Sequence, residues 1–282
     1  MAQKILYTAQ ELLDTQINPG CVIVDCRFVL DNPDAGYEAY LDSHIPGAVY
    51  AHLDNDLAGP VTRISGRHPL PDADQFASFL ARSGWAPGKL LLAYDDAGGA
   101  IAARLWWLMK YFGHDCSALL DGGISSWRAA GFDLESGESS DKGFPVAAYK
   151  VHNEFTISVT EIEEALSSDS MVLVDARSPE RFSGEFEPID SVAGRIPGSV
   201  NHPYNKNFSS NDTFRSQAIL RDGLLKLLGS HPAEHLVHLC GSGVTACHNI
   251  FAAELAGLTG SRLYVGSWSE WIRDPSRPVA LG

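Results

Sequence analysis

Apolar residues along this chain fall into short blocks separated by longer stretches of helical spacing. The blocks Val22-Ile23-Val24, Lys89–Tyr94, Val172-Leu173-Val174 and Leu236–Leu239 are bounded by Gly, Pro, Asp or Cys and read as buried strands. Between them, helices are predicted over Thr8–Thr15, Ala100–Phe112, Thr160–Ser167 and Ala246–Leu255. Thr8 and Thr160 suit the N-cap positions of the two opening helices, and Glu11 and Glu163 stand where a capping box places its carboxylate. Short apolar strands alternating with helices imply a parallel sheet covered on both faces. Such α/β sheets hold ligands at the carboxyl ends of their strands.

The pattern occurs twice. Val22-Ile23-Val24-Asp25-Cys26-Arg27 recurs as Val172-Leu173-Val174-Asp175-Ala176-Arg177, and His44-Ile45-Pro46-Gly47 recurs as Arg195-Ile196-Pro197-Gly198. The separations are 150 and 151 residues. Farther along, Leu119-Leu120-Asp121-Gly122-Gly123 and Trp127 match Leu263-Tyr264-Val265-Gly266-Ser267 and Trp271. Two homologous domains, 1–137 and 156–282, are expected, with the Gly, Ser, Pro and charge-rich stretch 138–155 as linker.

Composition narrows the function. With 282 residues there is room for both domains, and a formal charge of −14 argues against nucleic acid or an anionic membrane surface as partner. No stretch has the length and apolarity of a membrane span or a signal h-region. The five cysteines lack CxxC spacing, which points to a reducing, cytoplasmic setting and not to a disulfide framework. His231, His235 and His238 have a metal-like rhythm, but Pro232 and the following strand pattern break any helix that would align them, so no metal and no cofactor is expected.

The informative chemistry is Cys240-Gly241-Ser242-Gly243-Val244-Thr245, between the strand block 236–239 and the helix 246–255. A cysteine at a strand end, before a small-residue loop and a helix N-terminus, meets inward-turned N–H groups and partial positive charge, which favour a thiolate nucleophile. A buried core cysteine is the plainer alternative. The cradle also looks like that of the cysteine phosphatases, but the arginine that would clamp a phosphate is replaced by Ala246.

The string CGSGVT resembles the active-site loop of 3-mercaptopyruvate sulfurtransferases in the rhodanese superfamily. The Asp-x-Arg, HIPG, ARLWW, DGG…W and CGSGVT motifs follow in the order of the tandem rhodanese-domain enzymes, over nearly the whole chain. The resemblance implies two rhodanese-like α/β domains, with the catalytic site in the second. Asp95 aligns with Cys240, so the first domain has lost its nucleophile. A persulfide on Cys240 would pass sulfur from a small anionic donor to cyanide, a thiol or a protein acceptor. Gly241, Gly243, Val244 and Thr245 would supply the cradle, with capping as an equal role for the Thr245 hydroxyl. Ser242 would relay a proton, with His44 of the first HIPG motif as its partner.

The donor carboxylate would fall to Arg181, with Arg177 supporting the loop through Asp175. The second arginine that the mercaptopyruvate branch often carries nine residues later is Asp190 here, which leaves Arg67 or Arg195 to substitute. Gly66-Arg67-His68-Pro69 would reach the site as a rigid basic segment of the inactive domain. Mercaptopyruvate is the expected donor and thiosulfate the alternative. A persulfide carrier or regulatory sulfur-delivery module is the rival to an enzyme.

Overall fold

The computed structural model describes residues 3–16, 20–139, 143, 148–166, 168 and 170–282. These divide into two compact units. The first comprises 1–59, 71–152 and 208–214; the second comprises 60–70, 153–207 and 215–282. Parts of the expected linker, 140–142 and 144–147, lie outside the described residues, as does Ser167 at the end of one expected helix.

In the first unit the order is β1 (Leu6–Tyr7), α1 (Ala9–Gln16), β2 (Cys21–Asp25), α2 (Ala35–Asp42), β3 (Val49–Tyr50), α3 (Leu53–Asp56), α4 (Ala73–Arg82), β4 (Leu90–Tyr94), α5 (Ala102–Tyr111), β5 (Ser117–Leu120) and α6 (Gly123–Ala129). Its sheet is parallel throughout, in the order β1-β5-β4-β2-β3. The second unit has α7 (Val159–Ala165), β6 (Val172–Asp175), α8 (Pro179–Ser183), β7 (Val200–Asn201), α9 (Gln217–Leu228), β8 (Leu236–Leu239), α10 (Thr245–Leu255), β9 (Arg262–Leu263) and α11 (Ser267–Trp271). Its parallel order, β7-β6-β8-β9, repeats that of β3, β2, β4 and β5 in the first sheet. The counterpart of β1 has shrunk to a single bridge between Thr156 and Leu263.

Each sheet is apolar on both faces because helices cover both. In β4, Leu91, Leu92, Ala93 and Tyr94 are all buried, and so is every residue of β8. Trp85, Trp106, Trp107 and Trp127 fill the first unit's interior, and Trp268 and Trp271 the second's. Removing a large apolar side chain of this kind from water contributes about 1.5–3 kcal/mol.

The Thr8–Glu11 capping box forms, with Thr8 N–H donating to Glu11 at 2.9 Å and Glu11 N–H to Thr8 at 3.3 Å. In the second unit the box sits two residues earlier than expected. Ser158 and Glu161 exchange those bonds at the start of α7, while Glu163 accepts from Arg277 Nε at 2.8 Å. Both Ser158-x-x-Glu161 and Thr160-x-x-Glu163 satisfy the spacing. The earlier start puts Ile162 and Ala165 on the buried face.

The Asp-x-Arg motifs tie each central strand to its Ile-Pro-Gly turn. Arg27 folds back on Asp25, with Nη2 2.6 Å from Oδ2, and the same nitrogen donates to Ser43 O at 2.8 Å. Arg177 repeats this on Asp175 and Gly194 O, each at 2.7 Å. Tyr94 adds a third donor to Asp25 at 2.7 Å. Because the first pair is fully buried, Asp25→Ala strands a guanidinium in the core and should destabilise the protein by about 3–5 kcal/mol. Urea unfolding followed by far-UV dichroism measures it.

Candidate active site

Strand β8 delivers Cys240 to the carboxyl edge of the second sheet, and the chain then curls back before α10. The curl turns two N–H groups toward the sulfur: Ser242 N lies 3.4 Å and Gly243 N 3.1 Å from Sγ. Gly243 has φ +79°, and a Cβ there would stand 2.3 Å from the Val265 carbonyl oxygen, so both the turn and its packing require glycine. The N-cap of α10 is Val244, which has no side-chain acceptor to offer the first turn, so Thr245 is the first helical residue and not the cap.

The loop is anchored from behind by Ser267. Its hydroxyl accepts from Cys240 N at 3.0 Å and donates to Tyr264 O at 2.9 Å. Ser267 adopts φ +52°, a left-handed conformation that costs a side-chain-bearing residue about 1–2 kcal/mol. In the repeat, the matching residue is Gly123 with φ +54°. The second unit thus puts a hydroxyl where the first has none. Trp268 N and Ser269 N then donate to the carbonyls of Cys240 and Gly241, at 3.0 and 2.9 Å.

Arg67 and His68 belong to this second unit through the segment 60–70. Gly66 lies so close to the Gly266 backbone that a Cβ would fall 2.4 Å from its carbonyl oxygen, and Arg67 N donates to Ser269 Oγ at 3.0 Å. That contact sets His68 Nδ1 2.7 Å from Ser242 Oγ, with both groups buried. Ser242 therefore touches the Cys240 sulfur through its N–H and an imidazole through its hydroxyl. The sequence marked 66–69 as rigid and basic; the serine–histidine contact was the part it did not reveal.

The expected histidine, His44, lies in the first unit. Its ring is buried, stacked on Tyr40 at 4.2 Å, with Nδ1 2.7 Å from Tyr40 O and Nε2 3.9 Å from Glu135. Of the three histidines His231, His235 and His238, the last is wholly enclosed in β8, where burial drives its imidazole pKa down to about 3 and keeps it neutral.

Four side chains extend the Asp175–Arg177 pair into an alternating chain of charge. Arg177 Nη1 meets Glu187 at 3.3 Å, Arg181 Nε donates to Glu187 at 2.9 Å, and Arg181 Nη2 donates to Asp190 Oδ2 at 2.9 Å. Arg67 Nη1 completes it on Asp190 Oδ1 at 2.6 Å. Burial pushes the Glu187 carboxyl up, but bonds from Arg181 and from the Asp190 and Ile189 N–H groups outweigh it, and the net shift is downward. Arg181 and Arg67 both lean on the loop: a Cβ on Gly241 would meet Arg67 Nη2 at 3.2 Å and Arg181 Nη2 at 3.3 Å. The neutral loop thus receives its positive charge from the side. Arg195 is used elsewhere, donating to Gly282 O at 2.6 Å and lying over the Phe182 ring.

The equivalent cradle of the first unit is filled by its own chain. The Asp95 carboxylate accepts from Ala97 N and Gly99 N through Oδ1, at 2.9 and 2.8 Å, and from Ile101 N and Ala102 N through Oδ2, at 2.8 and 2.9 Å. Two of the other thiols, Cys21 and Cys26, are poor nucleophiles. Burial pushes Cys21 up to about 11 and, with the Asp25 charge, raises Cys26 well above its ordinary value. Cys247, in the first turn of α10, donates to Gly243 O at 3.3 Å and serves the loop from within the core.

A family model for the rhodanese-like domain matches the chain twice, over residues 8–130 and 158–274. A Pseudomonas aeruginosa protein named probable 3-mercaptopyruvate sulfurtransferase is 44% identical, with 100% of both chains covered. Thiosulfate/3-mercaptopyruvate sulfurtransferase 2 of Arabidopsis thaliana is 32% identical over 86% of this chain and 76% of its own. Among solved structures, 3-mercaptopyruvate sulfurtransferase from Leishmania major superposes with a TM-score of 0.84 at 32% identity, covering 95% of this chain and 74% of that one.

The loop geometry makes a direct prediction. Gly243→Ala forces a side chain into Val265 and into a left-handed conformation, displacing the N–H nearest the sulfur. Alkylation of Cys240 by iodoacetamide at neutral pH should slow by roughly ten-fold, the loss of about one charge-assisted hydrogen bond. Peptide mass spectrometry over time reads it.

Proposed function

The chain belongs to the rhodanese family of sulfurtransferases, and from that premise we propose that its donor is 3-mercaptopyruvate and its sulfur carrier a Cys240 persulfide. The observation that carries the choice of donor is the Ser242–His68 hydrogen bond beside the Cys240 sulfur. In the first displacement the Cys240 thiolate attacks the donor sulfur. The C–S bond breaks, and its electron pair becomes the enolate of pyruvate. That carbon base needs a proton, which the Ser242 hydroxyl gives while His68 replenishes it. Thiosulfate releases sulfite, which leaves with its electron pair and needs no such donor.

The outer sulfur of the persulfide carries the negative charge. The Ser242 and Gly243 N–H groups and the start of α10 stabilise it. In the second displacement an acceptor thiolate or cyanide takes that sulfur and the Cys240 thiolate departs, restoring the enzyme. Arg181 and Arg67 hold the donor carboxylate above Gly241, and Arg67 Nε, buried without a hydrogen-bond partner among the described residues, is a donor available to it. Thiosulfate is the second reading, favoured by those same guanidiniums. Thiol acceptors suit a reducing cytoplasmic setting, in keeping with five free cysteines; no described helix is long and apolar enough to cross a membrane.

Cys240→Ser should abolish transfer from either donor, and mass spectrometry of the donor-treated wild type should place one added sulfur on the peptide containing Cys240. Sulfur on Cys247 instead would overturn the carrier assignment. Ser242→Ala should lower turnover of mercaptopyruvate by roughly 10²-fold, the usual size of a lost proton donor, and leave thiosulfate within a few-fold. Equal losses with both donors would remove the proton-relay role. Arg181→Ala should reduce kcat/KM for mercaptopyruvate by roughly 10- to 150-fold, with Arg181→Lys recovering part, because an ammonium keeps the charge and loses the fork.

A further inference from the structure

Asp190 stands between the two guanidiniums that meet the donor, and its carboxylate is nearly enclosed, at 3% side-chain exposure. One oxygen takes Arg67 and the other takes Arg181. Its backbone is fixed as well, since Asp190 N–H donates to Glu187 Oε1 at 3.1 Å. The chain Asp175–Arg177–Glu187–Arg181–Asp190–Arg67 therefore alternates strictly in sign, three carboxylates against three guanidiniums, and sums to zero. What lies beside the loop is a pair of forks whose charge has been offset but whose Nη atoms, Nη2 of Arg67 and Nη1 and Nη2 of Arg181, still stand within contact distance of a Cβ at Gly241.

Such a pair treats anions differently. A planar carboxylate gains from directional hydrogen bonds, which survive charge neutralisation. A compact dianion depends on uncompensated positive charge to offset the water it loses. We infer that Asp190 is a specificity-determining residue, whose fixed charge biases the mouth of the cradle toward a monoanionic carboxylate donor and against a compact dianion such as thiosulfate. The inference rests on the reading of Cys240 as the sulfur carrier and adds what selects the donor. Arg67 and Asp190 together then do the work of the second arginine that the resemblance placed at 190, with the positive charge arriving from segment 60–70.

Asp190→Asn keeps the shape and one acceptor oxygen and removes the charge. The ratio of kcat/KM for thiosulfate to that for mercaptopyruvate should rise by roughly ten-fold, the scale of one unit charge a few ångströms away in a half-wet site. Asp190→Glu, which keeps the charge, should stay near the wild-type ratio. A second readout avoids sulfur transfer altogether: the sulfate concentration that half-protects Cys240 from iodoacetamide should fall by a similar factor in Asp190→Asn. With a thermal melt showing the variant folded, an unchanged donor ratio or an unchanged sulfate concentration overturns the role of Asp190. If the wild type forms no Cys240 persulfide with either donor, the proposed function fails. The sulfate assay still decides whether Asp190 sets the anion preference.

Discussion

A tight loop between a strand end and the next helix leaves inward backbone N–H groups in need of partners, and both units are arranged around what answers them. In the first unit Asp95 fills the loop: one carboxylate accepts four N–H groups, two from the loop and two from the start of α5, and closes the cradle on itself. In the second, Cys240 answers in part, with two N–H groups on a single sulfur and Val244 at the cap position. One replacement at the strand end thus separates a satisfied structural turn from one with room for a further anionic atom. The left-handed Ser267 serves the same end, since it holds the Cys240 N–H from behind and leaves the loop's inward N–H groups for chemistry.

Electrostatics follows from that arrangement. The loop carries no charge, so the positive charge beside it comes from Arg181 and Arg67, and those cations are held by buried carboxylates. In a chain with net charge −14, long-range attraction for an anion is weak, and selection falls to local geometry. Lengthwise alternation of charge also explains why Arg177, at the inner end, is structural: it is shared by Asp175, Glu187 and the Trp268 ring.

Much of this was legible in the sequence. Period and block length placed β8 at Leu236–Leu239 and the helices within a residue or two, because buried parallel strands and the helices over them have few other ways to sort apolar residues. The repeat marked Asp95 as the altered nucleophile position. Helix α7 shifted because two overlapping Ser/Thr-x-x-Glu frames both meet the capping rule, and only packing of Ile162 chooses between them. The imidazole beside Ser242 was less legible. His44 and His68 each precede an Ile-Pro or Pro turn, and local pattern carries no information about which unit a loop will pack against. The contact of Gly66 with Gly266 decides it, a fact of backbone proximity across distant sequence. Asp190 was visible as a departure, with Arg67 and Arg195 as candidate substitutes, but the choice of Arg67 as its partner needed segment 60–70 in place.

That segment has a consequence for heredity. A gene split between codons 152 and 153 would encode a second half that keeps Cys240, Ser242, Arg181 and Asp190 yet lacks Arg67 and His68. The half with Cys240 therefore lacks a segment of its own compact unit, and any chemistry that uses His68 binds the two halves to one reading frame. A repeat with Asp95 where its twin has Cys240 is ordinarily free to erode. Here eleven of its residues have been drafted into the neighbour's working parts, so the duplication cannot be undone by simple deletion.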